Sequence, residues 1–162
     1  MEIKILEQEE CPKWVIKHSI AVYNKAMEIS KNFNVNKDLI KKGSLLHDIG
    51  RSKTNDIDHA IVGSKLAIKH GFSQEVANII EKHIGAGITK KEAINLGLPK
   101  KDYLPMTLEE KIVSHSDNLI NGSKEVDIDF VVKKWRKRLA NADEAIYRLK
   151  KTHCELVTPF IY

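Results

Sequence analysis

Apolar residues recur every three to four positions in most segments of this 162-residue chain. This spacing is typical of amphipathic helices, and it is clear over residues 12–33, in the segment that leads to Gly50, and over 129–151. The chain contains only 8 glycines and 4 prolines, the residues that most often interrupt helices. The sequence therefore predicts an all-α protein of about six to seven helices, preceded by a short extended tail over residues 1–10.

The length is that of one domain, so we predict a single domain over residues 1–162, with its core over about 12–120 and a C-terminal helix over 129–151. No apolar run approaches the roughly 20 residues of a membrane-spanning helix, and the first residues do not open a signal peptide. These features predict a soluble, cytoplasmic protein without a membrane partner. Cys11 and Cys154 lack metal-binding spacing and are interpreted as ordinary residues.

Local signals mark several boundaries between elements. The pairs Thr89/Glu92 and Thr107/Glu110 have the spacing of helix capping boxes. The dipeptide Asn121-Gly122 is typical of a turn. The segment over 107–120 is therefore predicted to be a helix that ends at a turn.

The formal net charge is +5 and the isoelectric point is near 9.1. This balance is compatible with nucleotides, RNA or other phosphorylated partners, and charge alone does not choose among them. Basic residues cluster over 133–138, near the start of the last predicted helix. Such a cluster is either a solvated helix face or a surface for RNA, and both interpretations remain open.

An adjacent His47 and Asp48 close the predicted helix that ends at Gly50, where we expect a left-handed backbone cap. Neighbouring residues lie about 100° apart around a helix axis, so two side chains at a helix end can converge on one point. An imidazole and a carboxylate that converge in this way indicate a shared metal ion or a proton relay.

Three further residues lie on apolar helix faces, and a fourth, His59, lies in the first turn of a helix, where the helix dipole disfavours a cation. His18 has Trp14 and Val22 one turn to either side, which indicates either a hydrogen-bonded core histidine or a ligand. An inward carboxylate needs a metal, an arginine or backbone donors, because burying a charge is costly. The residues in question are His18, His59 at a helix start, His83 at a helix end, and Asp117 between Val113 and Ile120.

The order of these residues resembles the HD superfamily of metal-dependent phosphohydrolases, whose pattern is a His, a His-Asp doublet and a later Asp. Here the pattern corresponds to His18, His47-Asp48 and Asp117. Two-metal members of the superfamily carry an additional pair of histidines, and His59 and His83 stand at those places. The resemblance implies a single HD-domain helical bundle with a binuclear centre.

The resemblance also implies a chemistry. One divalent metal ion would be held by His18, His47, Asp48 and Asp117, and a second by His59 and His83, with Asp48 bridging. Mixed nitrogen and oxygen ligands favour Mn, Fe, Co, Ni or Zn. A metal-bridged hydroxide would hydrolyse a phosphomonoester or phosphodiester of a small nucleotide or nucleotide-like substrate. Arg51 and Lys53, which follow the doublet, are predicted to hold the phosphate.

Two other functions stay open from the sequence. The same ligands serve in HD-type mixed-valence di-iron oxygenases, and a non-catalytic, metal-containing module that binds nucleotides or RNA is the third interpretation. The chain also resembles small archaeal-type HD proteins, some of which are joined to RNA-modifying enzymes. The tail that ends in Phe160, Ile161 and Tyr162 is expected to pack back on the domain or to join a second subunit.

Overall fold

A computed structural model describes residues 1–160 of the chain. Within these residues it contains nine α-helices, so the predicted all-α class is confirmed. The helices are α1 (Glu2–Gln8), α2 (Lys13–Ser30), α3 (Lys37–Leu46), α4 (His59–Lys69), α5 (Gln74–Glu81), α6 (Lys90–Asn95), α7 (Leu108–Asn118), α8 (Ile128–Arg138) and α9 (Asp143–Leu156). Short 3-10 helices span Ile49–Ser52 and Thr158–Phe160, and a small antiparallel hairpin pairs β1 (Ile120–Asn121) with β2 (Lys124–Glu125).

The centre of the fold is a bundle in which α2 packs against α3 and α7, while α5 packs against α3 and α4. Aliphatic side chains fill the spaces between these helices. The fully or nearly fully buried ones include Ile29, Ile40, Ile79, Ile112, Leu46, Ile49 and Ile80. Their burial stabilises the bundle and holds the inward ends of several helices close together.

Side-chain caps begin several helices, and both predicted capping boxes are confirmed. Thr89 caps α6 together with Glu92, and Thr107 caps α7 together with Glu110. The predicted turn at Asn121-Gly122 joins the two strands of the hairpin, and Gly122 has a φ of +64°. Helix α7 therefore begins and ends close to where local signals predict.

The prediction of an extended N-terminal tail is wrong. Residues Glu2–Gln8 form helix α1, and Leu6 on this helix is fully buried in the core cluster that also contains Val15 and Ile49. A seven-residue helix has little stability of its own, so its packing on the bundle accounts for its formation.

The single C-terminal helix predicted over 129–151 is two helices, α8 and α9. Leu139 adopts an extended backbone between them, with φ −106° and ψ 132°. One straight 23-residue helix would extend about 35 Å in a single direction. The break instead lets α8 and α9 pack on each other: Val131 of α8 and Leu149 of α9 are buried in one cluster with Leu119, whereas Leu156 of α9 is buried in the cluster that contains Ile112.

The end of the chain packs back on the bundle, as far as it is described. Phe160 makes an edge-to-face contact with Phe33, with the ring centroids 5.4 Å apart. Ile161 and Tyr162, which belong to the predicted tail contact, lie outside the described residues. Across residues 1–160, no helix has both the length and the apolar character that crossing a lipid bilayer demands.

Candidate metal centre

His47 and Asp48 lie where the chain leaves α3. His47 still has helical backbone angles, whereas Asp48 has a φ of −101° and a ψ of 13° and leads into the 3-10 helix Ile49–Ser52. The chain changes direction between the two residues. Both side chains therefore face the interior, where His47 is fully buried and Asp48 is 3% exposed.

Gly50 controls how closely the 3-10 helix approaches α4. A Cβ atom at this position would lie 1.8 Å from the carbonyl oxygen of His59 and 2.8 Å from the amide nitrogen of Gly63. The left-handed cap predicted for Gly50 is wrong, because Gly50 is not among the glycines with positive φ. The glycine is required for close packing, and this packing brings His59 beside Asp48.

The carboxylate of Asp48 lies between two pairs of histidines. Its Oδ1 atom is 3.2 Å from Nε2 of His59 and 3.2 Å from Nε2 of His83. Its Oδ2 atom is 3.7 Å from Nε2 of His18 and 3.6 Å from Nε2 of His47. The two oxygens of one carboxylate thus face two different pairs of imidazoles.

Asp117 of α7 lies beside one of these pairs. Its Oδ1 atom is 2.8 Å from Nε2 of His18 and 3.3 Å from Nε2 of His47. Ligand atoms of His18, His47 and Asp117 all lie within 4.8 Å of one another, and so do those of His47, Asp48 and His83. The structure therefore brings together all six side chains that the sequence pattern singled out as metal ligands.

All four histidines are oriented by hydrogen bonds from Nδ1 to backbone carbonyl oxygens. A carbonyl oxygen can only accept, so Nδ1 carries the hydrogen and Nε2 of the neutral ring presents a lone pair to the centre. The acceptors are Gly122 for His18, Ser44 for His47, Asp56 for His59 and Ile80 for His83, at 2.6, 2.6, 2.8 and 2.6 Å respectively.

These lone pairs need a cation among them. Nε2 of His59 and Nε2 of His83 are 3.2 Å apart, and both rings are buried. Nε2 of His47 and Oδ1 of Asp48 are buried without a hydrogen-bond partner. Two nitrogens bound to one zinc-like ion at about 2.0–2.1 Å lie roughly 3.0–3.4 Å apart. The donor set therefore fits divalent metal ions, and its mixed imidazole and carboxylate character fits the transition metals.

The charges at the centre also favour a cation. Burial raises the pKa of Asp48 and of Asp117, but the neighbouring imidazoles outweigh burial and hold both carboxyl pKa values well below their usual range. Burial lowers the pKa of His47, but the two carboxylates outweigh it and raise this pKa to about 9. Both aspartates are thus ionised at neutral pH and attract a positive charge, whether a proton or a metal ion.

A cavity of about 230 Å³ opens onto His18, Asp48 and Asp117. Arg51 lies in its wall, with Nε 3.1 Å from Oδ2 of Asp48 and its guanidinium carbon 5.7 Å from the centre of the Trp14 ring. Further side chains of the wall, none of which was predicted as a site residue, are Trp14, Asn118, Asn121, Phe130, Lys134 and Trp135.

Comparison with known proteins identifies the family. The family model described as the HD domain matches residues 15–122, a range that contains all six candidate ligands. The chain belongs to the HD-domain family.

Similar proteins include an uncharacterized protein of Methanocaldococcus jannaschii, 51% identical over 144 residues that cover 86% of this chain and 85% of that protein. A tRNA (cytidine(56)-2'-O)-methyltransferase of Picrophilus torridus is 42% identical over 95% of this HD protein but only 45% of its own length. This chain thus spans less than half of the methyltransferase. Among solved structures, the HD domain of the L. monocytogenes phosphodiesterase PgpH in complex with cyclic-di-AMP has a TM-score of 0.59, with 16% identity over 98% of this chain and 100% of that chain. The structural similarity to PgpH shows that the two chains share the same fold.

Lys53 does not join the HD centre in this structure. Its ammonium group is 2.9 Å from Oε2 of Glu9, and the same glutamate lies 2.7 Å from Nε2 of His70. Lys53 is also absent from the wall of the cavity beside the metal ligands. The predicted phosphate contact of Lys53 therefore finds no support, because Lys53 is paired with Glu9, the residue that follows α1.

His115 lies two residues before Asp117 but faces a different part of the domain. Its Nε2 atom is 2.9 Å from Nδ1 of His153 on α9, and its side chain is 1% exposed. Burial, followed by the nearby charges of His153 and Lys25, lowers the pKa of His115 to about 3. His115 is therefore neutral at physiological pH and separate from the six candidate ligands.

Acid should destabilise the fold through His115. The unfolded chain takes up a proton near pH 6.5, whereas the folded protein keeps this ring neutral down to about pH 3. The contribution of the neutral His115 ring to the free energy of unfolding is therefore fully present above pH 6.5. Below this pH it falls by about 1.4 kcal/mol per pH unit. Urea unfolding of chelator-treated wild type and His115→Gln between pH 7.5 and 5 should give a shallower pH slope for the variant. If the free energy of unfolding had the same pH slope in the wild type and in His115→Gln, the burial of His115 as an uncharged ring would be contradicted.

Proposed function

We propose that this HD domain is a two-metal phosphohydrolase that cleaves a phosphoester bond of a nucleotide or nucleotide-like substrate. The observation that carries the proposal is the position of Asp48. Each oxygen of its carboxylate faces a separate pair of Nε2 atoms, and all four of these imidazoles are oriented with a lone pair toward the centre. A carboxylate in this position can bridge two ions.

Each ion has its own set of ligands in the proposal. His18, His47, Asp48 and Asp117 would hold one ion, and His59, His83 and Asp48 would hold the other. Mn, Fe, Co, Ni and Zn suit these ligands. When bound, such ions lower the pKa of a coordinated water and neutralise charge on the phosphoryl oxygens.

Arg51 is the side chain that we assign to the phosphate. It lies in the wall of the cavity next to Asp48, and its contact with Oδ2 of Asp48 and its position over Trp14 hold the guanidinium in place. A planar guanidinium suits two phosphoryl oxygens at once. Arg51 would therefore bind and orient the phosphate group as its charge increases in the transition state.

Replacing Arg51 tests this role. We expect Arg51→Ala to lower kcat/KM by roughly a hundredfold or more, the usual loss for one group that stabilises the transition state. The metal content should stay at the wild-type value, because Arg51 is not a ligand. Lys53→Ala is the matched comparison and should change kcat/KM by less than about twofold, since an exposed lysine paired with Glu9 contributes little. Equal losses in both variants would contradict the assignment.

A second cavity supports a nucleotide as the substrate. It measures about 540 Å³, is lined by aliphatic side chains such as Ile84, Ile88 and Leu96, and shares Asn118, Lys134 and Trp135 with the cavity at the metal ligands. A mainly apolar cavity with a few polar groups suits a nucleoside. The HD domain of PgpH, a phosphodiesterase seen with cyclic-di-AMP, has the same fold and is consistent with this substrate class.

The function is tested by elemental mass spectrometry of the purified protein, followed by assays with p-nitrophenyl phosphate and bis(p-nitrophenyl) phosphate in the presence of each candidate metal. We expect about two transition-metal ions per chain and metal-dependent release of p-nitrophenol. A protein that retains its ions and hydrolyses neither ester would contradict the proposed phosphohydrolase. Iron with visible absorbance and oxygen consumption would favour the oxygenase instead.

A further inference from the structure

A groove on α8 leads away from the candidate metal centre. It encloses about 380 Å³ and is lined by Asn121, Phe130, Lys133, Lys134, Lys137 and Arg138. The residues from α8 lie three and four positions apart and therefore share one face of the helix. Three of the lining residues, Asn121, Phe130 and Lys134, also line the cavity at the metal ligands. The groove and the catalytic cavity are therefore continuous.

The positive charges of this groove are not neutralised by the protein. Within the described residues, Lys133, Lys134, Lys137 and Arg138 form no ion pair, whereas Arg136 on the same helix lies 3.8 Å from Asp143. Burial lowers the pKa of Lys134, and the charge of Arg138 lowers it further. Four neighbouring cations that repel one another favour a bound polyanion.

Aromatic side chains accompany the charges where the groove meets the cavity. Phe130 is 42% exposed although it is apolar, and Trp14 in the same wall is 53% exposed. Exposed aromatic rings beside a basic groove are the arrangement that binds unpaired bases by stacking while lysines follow the phosphates. Bases in a duplex are already stacked and are less available to such rings.

The groove is also formed largely by residues outside the part of the chain that matches the family. The match ends at residue 122, whereas Phe130 and the four cations follow it. The six candidate ligands thus lie within the matched range, whereas α8 adds Phe130, Lys134 and Trp135 to the cavity wall from outside it.

We propose that the substrate class is single-stranded nucleic acid, with its phosphates along the α8 groove, a base on Phe130 and the scissile phosphodiester at the metal centre. The cleavage part rests on the proposed phosphohydrolase function, whereas binding does not. In the reaction, a P–O bond forms from water and the P–O bond to a sugar oxygen breaks. The protons of the water end on the leaving hydroxyl and on solvent, so no other reactant is needed.

Binding is tested with fluorescein-labelled, hydrolysis-resistant phosphorothioate 12-mers, single-stranded RNA and DNA, and with the corresponding duplex. Fluorescence anisotropy is measured on the metal-loaded protein at several salt concentrations. We expect Lys133→Ala/Lys137→Ala to weaken single-strand binding roughly tenfold at low salt and to reduce the slope of log K against log salt by about 1.4, because two phosphate contacts are lost.

The matched control is Lys65→Ala/Lys69→Ala, which removes two exposed lysines with the same spacing from α4. This control should retain wild-type affinity and salt slope. Equal effects of both double variants, or binding of the duplex as tight as that of the single strand, would overturn the proposal. Phe130→Ala should also weaken binding of the single strand, and unchanged affinity in this variant would contradict stacking on Phe130.

A separate assay distinguishes failure of the groove from failure of the proposed activity. Bis(p-nitrophenyl) phosphate has a single phosphate and no further nucleotides to lie along the α8 groove, and Lys133 and Lys137 do not line the cavity at the metal ligands, so its hydrolysis reports on the centre. Hydrolysis of this ester without binding of oligonucleotides would overturn the nucleic-acid substrate and retain the phosphohydrolase. Binding that depends on α8 without any hydrolysis would retain the groove and overturn the phosphohydrolase.

Discussion

Asp48→Ala is expected to remove both metal ions from the purified protein and to lower hydrolysis of bis(p-nitrophenyl) phosphate by at least roughly a thousandfold. Asp48 is the side chain whose two oxygens face both pairs of histidines, at 3.2 Å on one side and 3.6–3.7 Å on the other. Its loss therefore removes a ligand from each proposed ion at once. Elemental mass spectrometry and the ester assay measure the two effects on the same sample.

Asp56→Ala provides the control for Asp48→Ala. The side chain of Asp56 is exposed, and only its backbone carbonyl oxygen contacts the centre, by accepting from Nδ1 of His59. The variant keeps that carbonyl, so metal content and activity should stay near the wild-type values. If Asp48→Ala retained two ions and full activity, the bridging role of this carboxylate would be ruled out.

Gly50→Ala is expected to destabilise the fold by about 3 kcal/mol and to lower occupancy of the ion assigned to His59 and His83. The added methyl group would lie 1.8 Å from a backbone oxygen of His59, so α4 must move away from the 3-10 helix that follows Asp48. The distance between His59 and Asp48 would then increase. Urea unfolding measures the first effect, and elemental analysis measures the second.

Gly71→Ala separates this packing effect from the general cost of replacing a glycine. Gly71 has a φ of +84°, but nothing lies within 4 Å of a Cβ atom built there. The substitution should lower the free energy of unfolding by only about 1 kcal/mol, because of backbone strain, and the variant should keep both ions. If Gly50→Ala lowered the free energy of unfolding by less than Gly71→Ala, α4 would accommodate the added methyl group at little cost, and the proposed close packing would be contradicted.

Residues with a local role could be predicted well from the sequence. The capping boxes at Thr89 and Thr107 and the turn at Gly122 depend on side chains and backbone within a few positions of one another. The inward positions of His18 and His83 follow from the helical period, which decides the side of a helix on which a side chain lies. The all-α class follows from the same period.

Contacts between residues that lie far apart in the chain could not be predicted from the sequence pattern. Gly50 has the same local signals whether it caps a helix or packs against α4, and only the position of α4 distinguishes the two. Lys53 was predicted to hold the phosphate because it follows the doublet, but in the structure it pairs with Glu9, the residue that follows α1. The break between α8 and α9 likewise depends on tertiary packing, which buries Val131 and Leu149 in one cluster and Leu156 in another.

The sequence by itself determined the helical class, because helical period is a property of short segments, and its resemblance to the HD superfamily singled out the six candidate metal ligands. Only the tertiary structure decided that the two oxygens of Asp48 face separate pairs of histidines, that four backbone carbonyls orient those rings, and that α8 lines the cavity with Phe130 and Lys134. These features depend on distances between residues as far apart in the chain as His18 and Gly122, which are set by how the helices pack.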